Sequence, residues 1–231
     1  MINYQKELEK IIETLGRDEA YTPKLLLHSC CAPCSSYVME YLREHFEITV
    51  LYYNPNISNP EEYEKRKAEQ KKLIAIYNEQ VNSGCFGNMR STSNAKLIEI
   101  MDVDHEPERF VQMAKGYEDC KEGGERCFRC YRLRLKKTAT LAKQNGFDYF
   151  ATTLTISPLK NAAKLNEIGY ELEKELQDKR VHYLPGDFKK KEGYKRSIEL
   201  SHTFDLYRQD FCGCAYSYAQ RLEEKRKLAD N

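Results

Sequence analysis

The chain has 231 residues, enough for one domain or one domain with an appendage at roughly 100–200 residues per domain. Lys and Arg number 37 against 36 Asp and Glu, so no global charge excess pulls the chain onto nucleic acid or membrane. Charged residues make up 32% and hydrophobic residues 41%, which excludes collagen-like and low-complexity classes. No apolar run approaches the roughly 18 residues of a membrane span. The opening stretch MINYQKELEKIIETL lacks the apolar core of a signal peptide. The expectation is a cytoplasmic protein with no membrane partner. In a reducing compartment its nine Cys point to metal or redox chemistry rather than structural disulfides.

Residues 3–16 set Leu8, Ile11, Ile12 and Leu15 at helical spacing, which predicts an N-terminal helical extension over about residues 1–20. Lys24–His28 (KLLLH) reads as a buried strand. After a Cys- and Pro-containing turn, residues 35–45 read as a helix with Ser near its N-cap. Residues 48–53 (ITVLYY) form a second strand, residues 54–60 a turn and residues 61–77 a charged helix. Residues 81–95 are polar and without pattern, either a surface loop or a disordered insertion. A third strand is predicted over 97–101, helices over 107–116 and 126–144, and a fourth strand over 148–152. A helix over 159–177, a weak strand over 181–184 and helices over 194–200 and 215–228 complete the chain. This alternation implies βαβ units in one α/β domain over residues 1–231, its parallel sheet covered on both faces. In such folds the chemistry lies in loops after the C-terminal ends of strands. Residues 29–34, 54–59 and 152–160 are at such positions.

Three cysteine groups stand out. HSCCAPC sets Cys30, Cys31 and Cys34 directly after a buried strand, where a following helix N-terminus favours thiolates. CFRC sets Cys127 and Cys130 three apart, so that both can face one ion or cluster from a helix start. Together they supply enough thiolates for zinc or an iron–sulfur cluster, and the spacing does not choose between these. CGC sets Cys212 and Cys214 around Gly213. They read as a strained, redox-active bridge, as two further ligands, or as inert thiols. Cys85 and Cys120 fall outside any pattern.

Two basic stretches interleave aromatic residues, as phosphate contacts and base stacking favour. RCFRCYRLRLKK over 126–137 holds six Lys or Arg and no acid. KKKEGYKR over 189–196 contributes Lys189, Lys190, Lys191, Tyr194 and Arg196 as candidate substrate contacts. Either run is also compatible with a solvated helix face. The adjacent Cys pair favours nucleic acid for the first. TTLTISPLK, with Lys160 opening a helix, either holds a phosphate at a helix N-terminus or is simply a capped helix. His28 either touches a cofactor or ends its strand as a core histidine, and Asp102 or Asp104 can face the site.

The segments HSCCAPC, YYNPNI, GGERCFRCYRLRLKKTA, GFDYFATTLTISPLKN, NEIG, DFKKKEGYKRSIELS and LYRQDFCGCAYS occur in this order from about residue 24 to 220. In them the chain resembles the QueH family of epoxyqueuosine reductases. The resemblance implies a doubly wound parallel sheet of the adenine-nucleotide α-hydrolase (HUP-like) type, with added helices. It implies cobalamin-independent reduction of the epoxide of epoxyqueuosine at the tRNA wobble position, using a [4Fe-4S] cluster and an adjacent mononuclear iron. It further implies Cys30, Cys31, Cys127 and Cys130 as iron ligands, and Cys34 at the neighbouring iron. Cys34, Cys212 and Cys214 are then the catalytic cysteines. The implied partners are tRNA with a GUN anticodon and an unidentified electron donor. Two other classes remain in view: a non-catalytic RNA-binding module with structural zinc, and a metal-free thiol oxidoreductase using Cys212 and Cys214.

Overall fold

The computed structural model describes residues 2–17 and 21–229. The extension expected over residues 1–20 is thus described as α1 (Tyr4–Leu15), with residues 1 and 18–20 outside the described residues. The remaining elements are β1 (Lys24–His28), α2 (Ala32–Leu42), β2 (Glu47–Leu51), α3 (Pro60–Ser83), β3 (Ile98–Met101) and α4 (Pro107–Ala114). They continue with α5 (Glu125–Gln144), β4 (Tyr149–Thr152), a 3-10 turn (Thr153–Ile156), α6 (Ala162–Leu176), β5 (His182–Tyr183), α7 (Gly193–Thr203) and α8 (Ala215–Ala229).

The strands form one sheet in the order β3-β2-β1-β4-β5, every pair parallel. Successive side chains of a strand point to opposite faces, so β1 feeds two helical layers. Leu25 and Leu27 pack with α2, Leu73 and Ile74 of α3, and Leu200 of α7. Leu26 packs with Leu135 and Ala139 of α5 and Leu165 of α6 on the other face. All three leucines are fully buried, as a near-continuous apolar strand of a parallel sheet requires. The fold is doubly wound, as the resemblance implies. Strand order reverses between β1 and β4, so their C-terminal ends open the crevice in which such sheets bind ligands.

Several element ends differ from expectation for identifiable reasons. Helix α2 starts at Ala32, three residues before the predicted start, with Pro33 in the first turn, where its missing N–H costs nothing. Ser35 and Ser36, which look like caps, instead donate back to the carbonyls of Ala32 and Pro33. Cys31 therefore occupies the N-cap position with its sulfur uncommitted to the cap, and Cys34 lies in the first turn. Helix α3 runs on to Ser83 and ends at Gly84 in the left-handed conformation (φ 66°). Residues 84–95 connect the end of α3 towards β3 through turns and coil. Ser91 is buried, bonded to Arg43 Nε (2.8 Å) and donating to the Glu40 carbonyl (3.1 Å). Helix α6 begins at Ala162, capped by Asn161, so Lys160 precedes the helix rather than opening it.

Candidate functional site

The site is built where β1 and β4 end. His28, the last residue of β1, is fully buried and bonds Thr152 Oγ1 of β4 through Nδ1 (2.9 Å) and the Tyr53 carbonyl through Nε2 (3.0 Å). Burial and the nearby Arg134 cation lower its pKa to about 3, so the ring is neutral. Both ring nitrogens are used. His28 thus straps the ends of β1 and β4 to the segment after β2, with neither ring nitrogen free as a ligand. Beyond it, Ser29 and Ser35 both donate to Gln70 Oε1 (2.7 and 2.8 Å), and Asn54 Nδ2 donates to the Ser29 carbonyl. These bonds hold the Cys-rich turn.

Within that turn the sulfurs of Cys30, Cys31 and Cys34 all lie within 4.8 Å of one another. Cys30 and Cys31 are 3.8 Å apart. A tetrahedral ion with metal–sulfur bonds of about 2.3 Å has sulfurs roughly 3.8 Å apart, so this group has the spacing of a metal site. Hydrogen bonds from Cys31 and Cys34 hold the Cys30 thiol well below its usual range, and donation to Cys30 raises the Cys31 thiol to about 12. The three sulfurs thus bias one another's ionisation, with Cys30 the one favoured as thiolate, and a bound cation would favour all three as thiolates.

Cys127 and Cys130 project from the first turns of α5. They meet Cys212 and Cys214 around a small cleft, lined also by Asn56 and Tyr131. Cys127 Sγ accepts from the Gly123 N–H (3.3 Å), and burial raises both CFRC thiols, Cys130 to about 11. The CGC turn is pinned by Arg66 of α3, whose Nη1 donates to the Cys212 carbonyl (3.1 Å). Gly213 has φ +114°, and a Cβ there would lie 2.8 Å from Ile57 Cγ1, so the turn requires glycine. Cys212 and Cys214 are free thiols. Donation from Cys214, backed by the Lys160 charge, pulls the Cys212 thiol well below its usual range. Lys160 Nζ lies 3.6 Å from Cys212 Sγ.

A cavity of about 650 Å³ opens over Cys30, Cys31 and Cys34, with Tyr194, Gln209 and Gln220 on its walls. Its size suits a nucleoside-scale ligand. Arg134, Lys160 and Cys212 line both this cavity and the small cleft, and so form the wall between them. The CFRC and CGC pairs thus meet across the cleft, while the HSCCAPC sulfurs form a separate tight group on the cavity side.

The basic stretches are mostly committed within the protein. Arg126 is buried and donates to the carbonyls of Tyr117 and Glu118, and Arg134 is buried in the site. Arg129 pairs with Glu125, Arg132 with Glu171 and Glu175, and Lys137 with Glu106. The run over 126–137 is therefore not one continuous cationic face, although Lys136 is exposed and Arg129 and Arg132 pair at the surface. In the second stretch Lys189 pairs with Asp187, Lys191 with Glu9, and Arg196 with the buried Glu40. Lys190 is exposed, and Tyr194 lines the cavity. Asp102 pairs with Lys67 and Lys71 of α3 rather than facing the site. Cys85 is exposed beyond the end of α3. The contributions of Arg66, Asn56, Gln209 and Arg134 were not legible in the sequence. The one signal was Arg134 falling four residues after Cys130, on the same helix face.

The residues present fit an anionic, thiolate-held metal group. Arg134 Nη2 is a buried donor without a partner beside the thiols, and Arg134 brings a buried positive charge. These features define a doubly wound α/β protein with a thiol-rich site, capable of holding metal, at the switch point of its sheet. A family profile described as "Epoxyqueuosine reductase QueH" matches residues 25–220. An epoxyqueuosine reductase QueH of Staphylococcus aureus is 41% identical over 222 residues, 95% of this chain and 85% of that protein. One of Streptococcus pyogenes is 38% identical over 216 residues, 94% of this chain and 78% of its own length. One of Thermotoga maritima is 30% identical over 205 residues, 89% of this chain and 95% of its own length. The chain belongs to the QueH family of epoxyqueuosine reductases. No helix among the described residues is long and apolar enough to cross a membrane.

Proposed function

We propose that this chain is an oxidoreductase that reduces the epoxide of epoxyqueuosine to queuosine, at the wobble position of tRNA with a GUN anticodon. In this reading cysteines from HSCCAPC and CFRC hold a [4Fe-4S] cluster and an adjacent iron, electrons come from an external donor, and the protein works in the cytoplasm alongside its tRNA. The observation that supports it most is a nucleoside-sized cavity lined by Cys30, Cys31, Cys34 and Cys212, with the CFRC pair in the adjoining small cleft, in a chain of this family.

Removing an epoxide oxygen as water takes two electrons and two protons and leaves a carbon–carbon double bond. The metal group, when bound, supplies single electrons and a Lewis-acidic position for the oxygen. The chain's own residues do the rest. Lys160 and Arg134 keep positive charge beside the thiolates, which favours anionic sulfur and a developing alkoxide alike. Cys212 and Cys214 can release two electrons when a bridge forms between them, with one proton from Cys214 where Cys212 is already the thiolate, so the second proton must come from elsewhere. His28, neutral and bonded at both nitrogens, is no proton source. Tyr194 offers the cavity an aromatic face on which a base can stack.

The test is anaerobic incubation of iron-loaded protein with epoxyqueuosine-containing tRNA and a strong reductant, followed by nucleoside mass spectrometry. The expected result is loss of one oxygen from the modified nucleoside without added cobalamin. Colourless protein that binds zinc stoichiometrically and leaves the epoxide intact under several reductants would overturn the reading in favour of an RNA-binding zinc module.

A further inference from the structure

Among the described residues, three arginine side chains are fully buried: Arg43, Arg66 and Arg134. Two are satisfied. Arg43 donates to Ser91 Oγ (2.8 Å), the Tyr77 carbonyl (3.2 Å) and Gln80 Oε1 (2.8 Å). Arg66 pairs with Glu62 at 2.6 Å and donates to the Cys212 carbonyl. Arg134 differs. Its Nε and Nη1 reach only neutral oxygens, the Cys130 carbonyl and Asn54 Oδ1, each at a long 3.4 Å. Its Nη2 has no partner, and it forms no ion pair among the described residues.

A buried guanidinium without an anion is strongly penalised and persists only where something compensates it. What surrounds Arg134 is sulfur. It stands in the wall between the cavity holding Cys30, Cys31 and Cys34 and the cleft holding Cys127, Cys130, Cys212 and Cys214. Backbone geometry explains the position, because α5 presents Cys127, Cys130 and Arg134 on one face at spacings of three and four. No carboxylate lines the cleft, and although Glu122, Asp210 and Glu224 line the cavity, none of them pairs with Arg134, whose bonds go to the Cys130 carbonyl and Asn54 Oδ1. The counter-anion this site requires is therefore the thiolate-held group itself.

We propose that Arg134 is a positioning residue for that group. Its guanidinium is the fixed counter-cation and N–H donor to the thiolates and bound sulfur, and it raises the group's reduction potential. The inference rests on the reading above that the cysteines hold an iron–sulfur group. It does not depend on the substrate. Adding an electron to an anionic cluster is easier beside a fixed cation, and hydrogen bonds to cluster sulfurs act in the same direction.

The experiment measures the EPR-monitored midpoint potential and the iron content of anaerobically reconstituted wild type, Arg134→Gln and Arg134→Lys. Arg134→Gln removes the charge and Arg134→Lys keeps it. The expected result is at least a tenfold loss in the reduction equilibrium for Arg134→Gln, a fall of about 59 mV for one electron. Arg134→Lys should recover most of it. An unchanged potential at full iron loading in Arg134→Gln, or an Arg134→Lys potential as low as that of Arg134→Gln, overturns the proposal. Because the neutral variant can fail to fold, a second measurement uses wild type labelled with nitrogen-15 arginine. The reduced group should show a nitrogen hyperfine coupling that equally labelled Arg134→Lys lacks, and its absence in wild type is equally fatal. If shift and coupling appear while the epoxide is not reduced, the functional reading fails and this inference stands. If wild type forms no iron–sulfur signal at all, both fail.

Discussion

Arg196 lies in a motif whose composition suits phosphate binding, yet its side chain is engaged elsewhere. It donates to Glu40 through Nη2 (2.7 Å) and Nε (3.0 Å), and to the Asn88 carbonyl (3.0 Å). The Glu40 side chain is 1% exposed and that of Arg196 is 12%. Glu40 also accepts from the Arg90 N–H (2.9 Å), so the pair ties α7 to α2 and to the loop over 84–95. Removing one partner of a buried pair leaves an uncompensated charge and costs about 3–5 kcal/mol. Arg196 reaches the surface edge, so about 3 kcal/mol is expected for Arg196→Leu. For a chain of this length that lowers Tm by roughly 6–12 °C, at about 2–4 °C per kcal/mol. Urea unfolding under anaerobic conditions, in a double-mutant cycle with Glu40→Leu, isolates the pair. The coupling between the two sites should be about 2 kcal/mol or more. A loss under about 1 kcal/mol, the range of exposed pairs, would refute the argument. A raised tRNA requirement at unchanged stability would return Arg196 to the substrate contacts.

Gly169 sits mid-helix in α6, where a Cβ would approach the Tyr183 ring to 2.3 Å. Gly169→Ala should therefore destabilise by about 1–2 kcal/mol despite its better helix propensity, as read by thermal unfolding. Cys127→Ala should lose most bound iron and acid-labile sulfide after anaerobic reconstitution, and full retention removes Cys127 from the ligand set. Changing both Cys212 and Cys214 to Ser should leave iron nearly intact while lowering turnover. Iron loss as deep as in Cys127→Ala would make them ligands instead.

The strand-and-helix alternation alone determined the parallel sheet and its two covering layers. Continuous apolar runs such as KLLLH can satisfy their side chains only when buried on both faces. Helix ends were less legible, because Ser35 and Ser36 bond backwards within the turn and Pro33 is tolerated where a break was expected. The cysteine motifs announced a thiol-rich site, since neighbouring cysteines on a turn or a helix face are brought together by local geometry. Only the tertiary structure decided which motifs meet. Spacing along the chain says nothing about CFRC facing CGC across a cleft some eighty residues away in sequence. The charges were hidden for the same reason. A run such as RCFRCYRLRLKK looks like one cationic face, but a helix turns its residues to different neighbours. Arg129 and Arg132 find carboxylates at the surface, Arg126 finds carbonyls, and Arg134 is carried into the thiol site. What a charged side chain does depends on the element packed against it, and that partner is supplied by the fold.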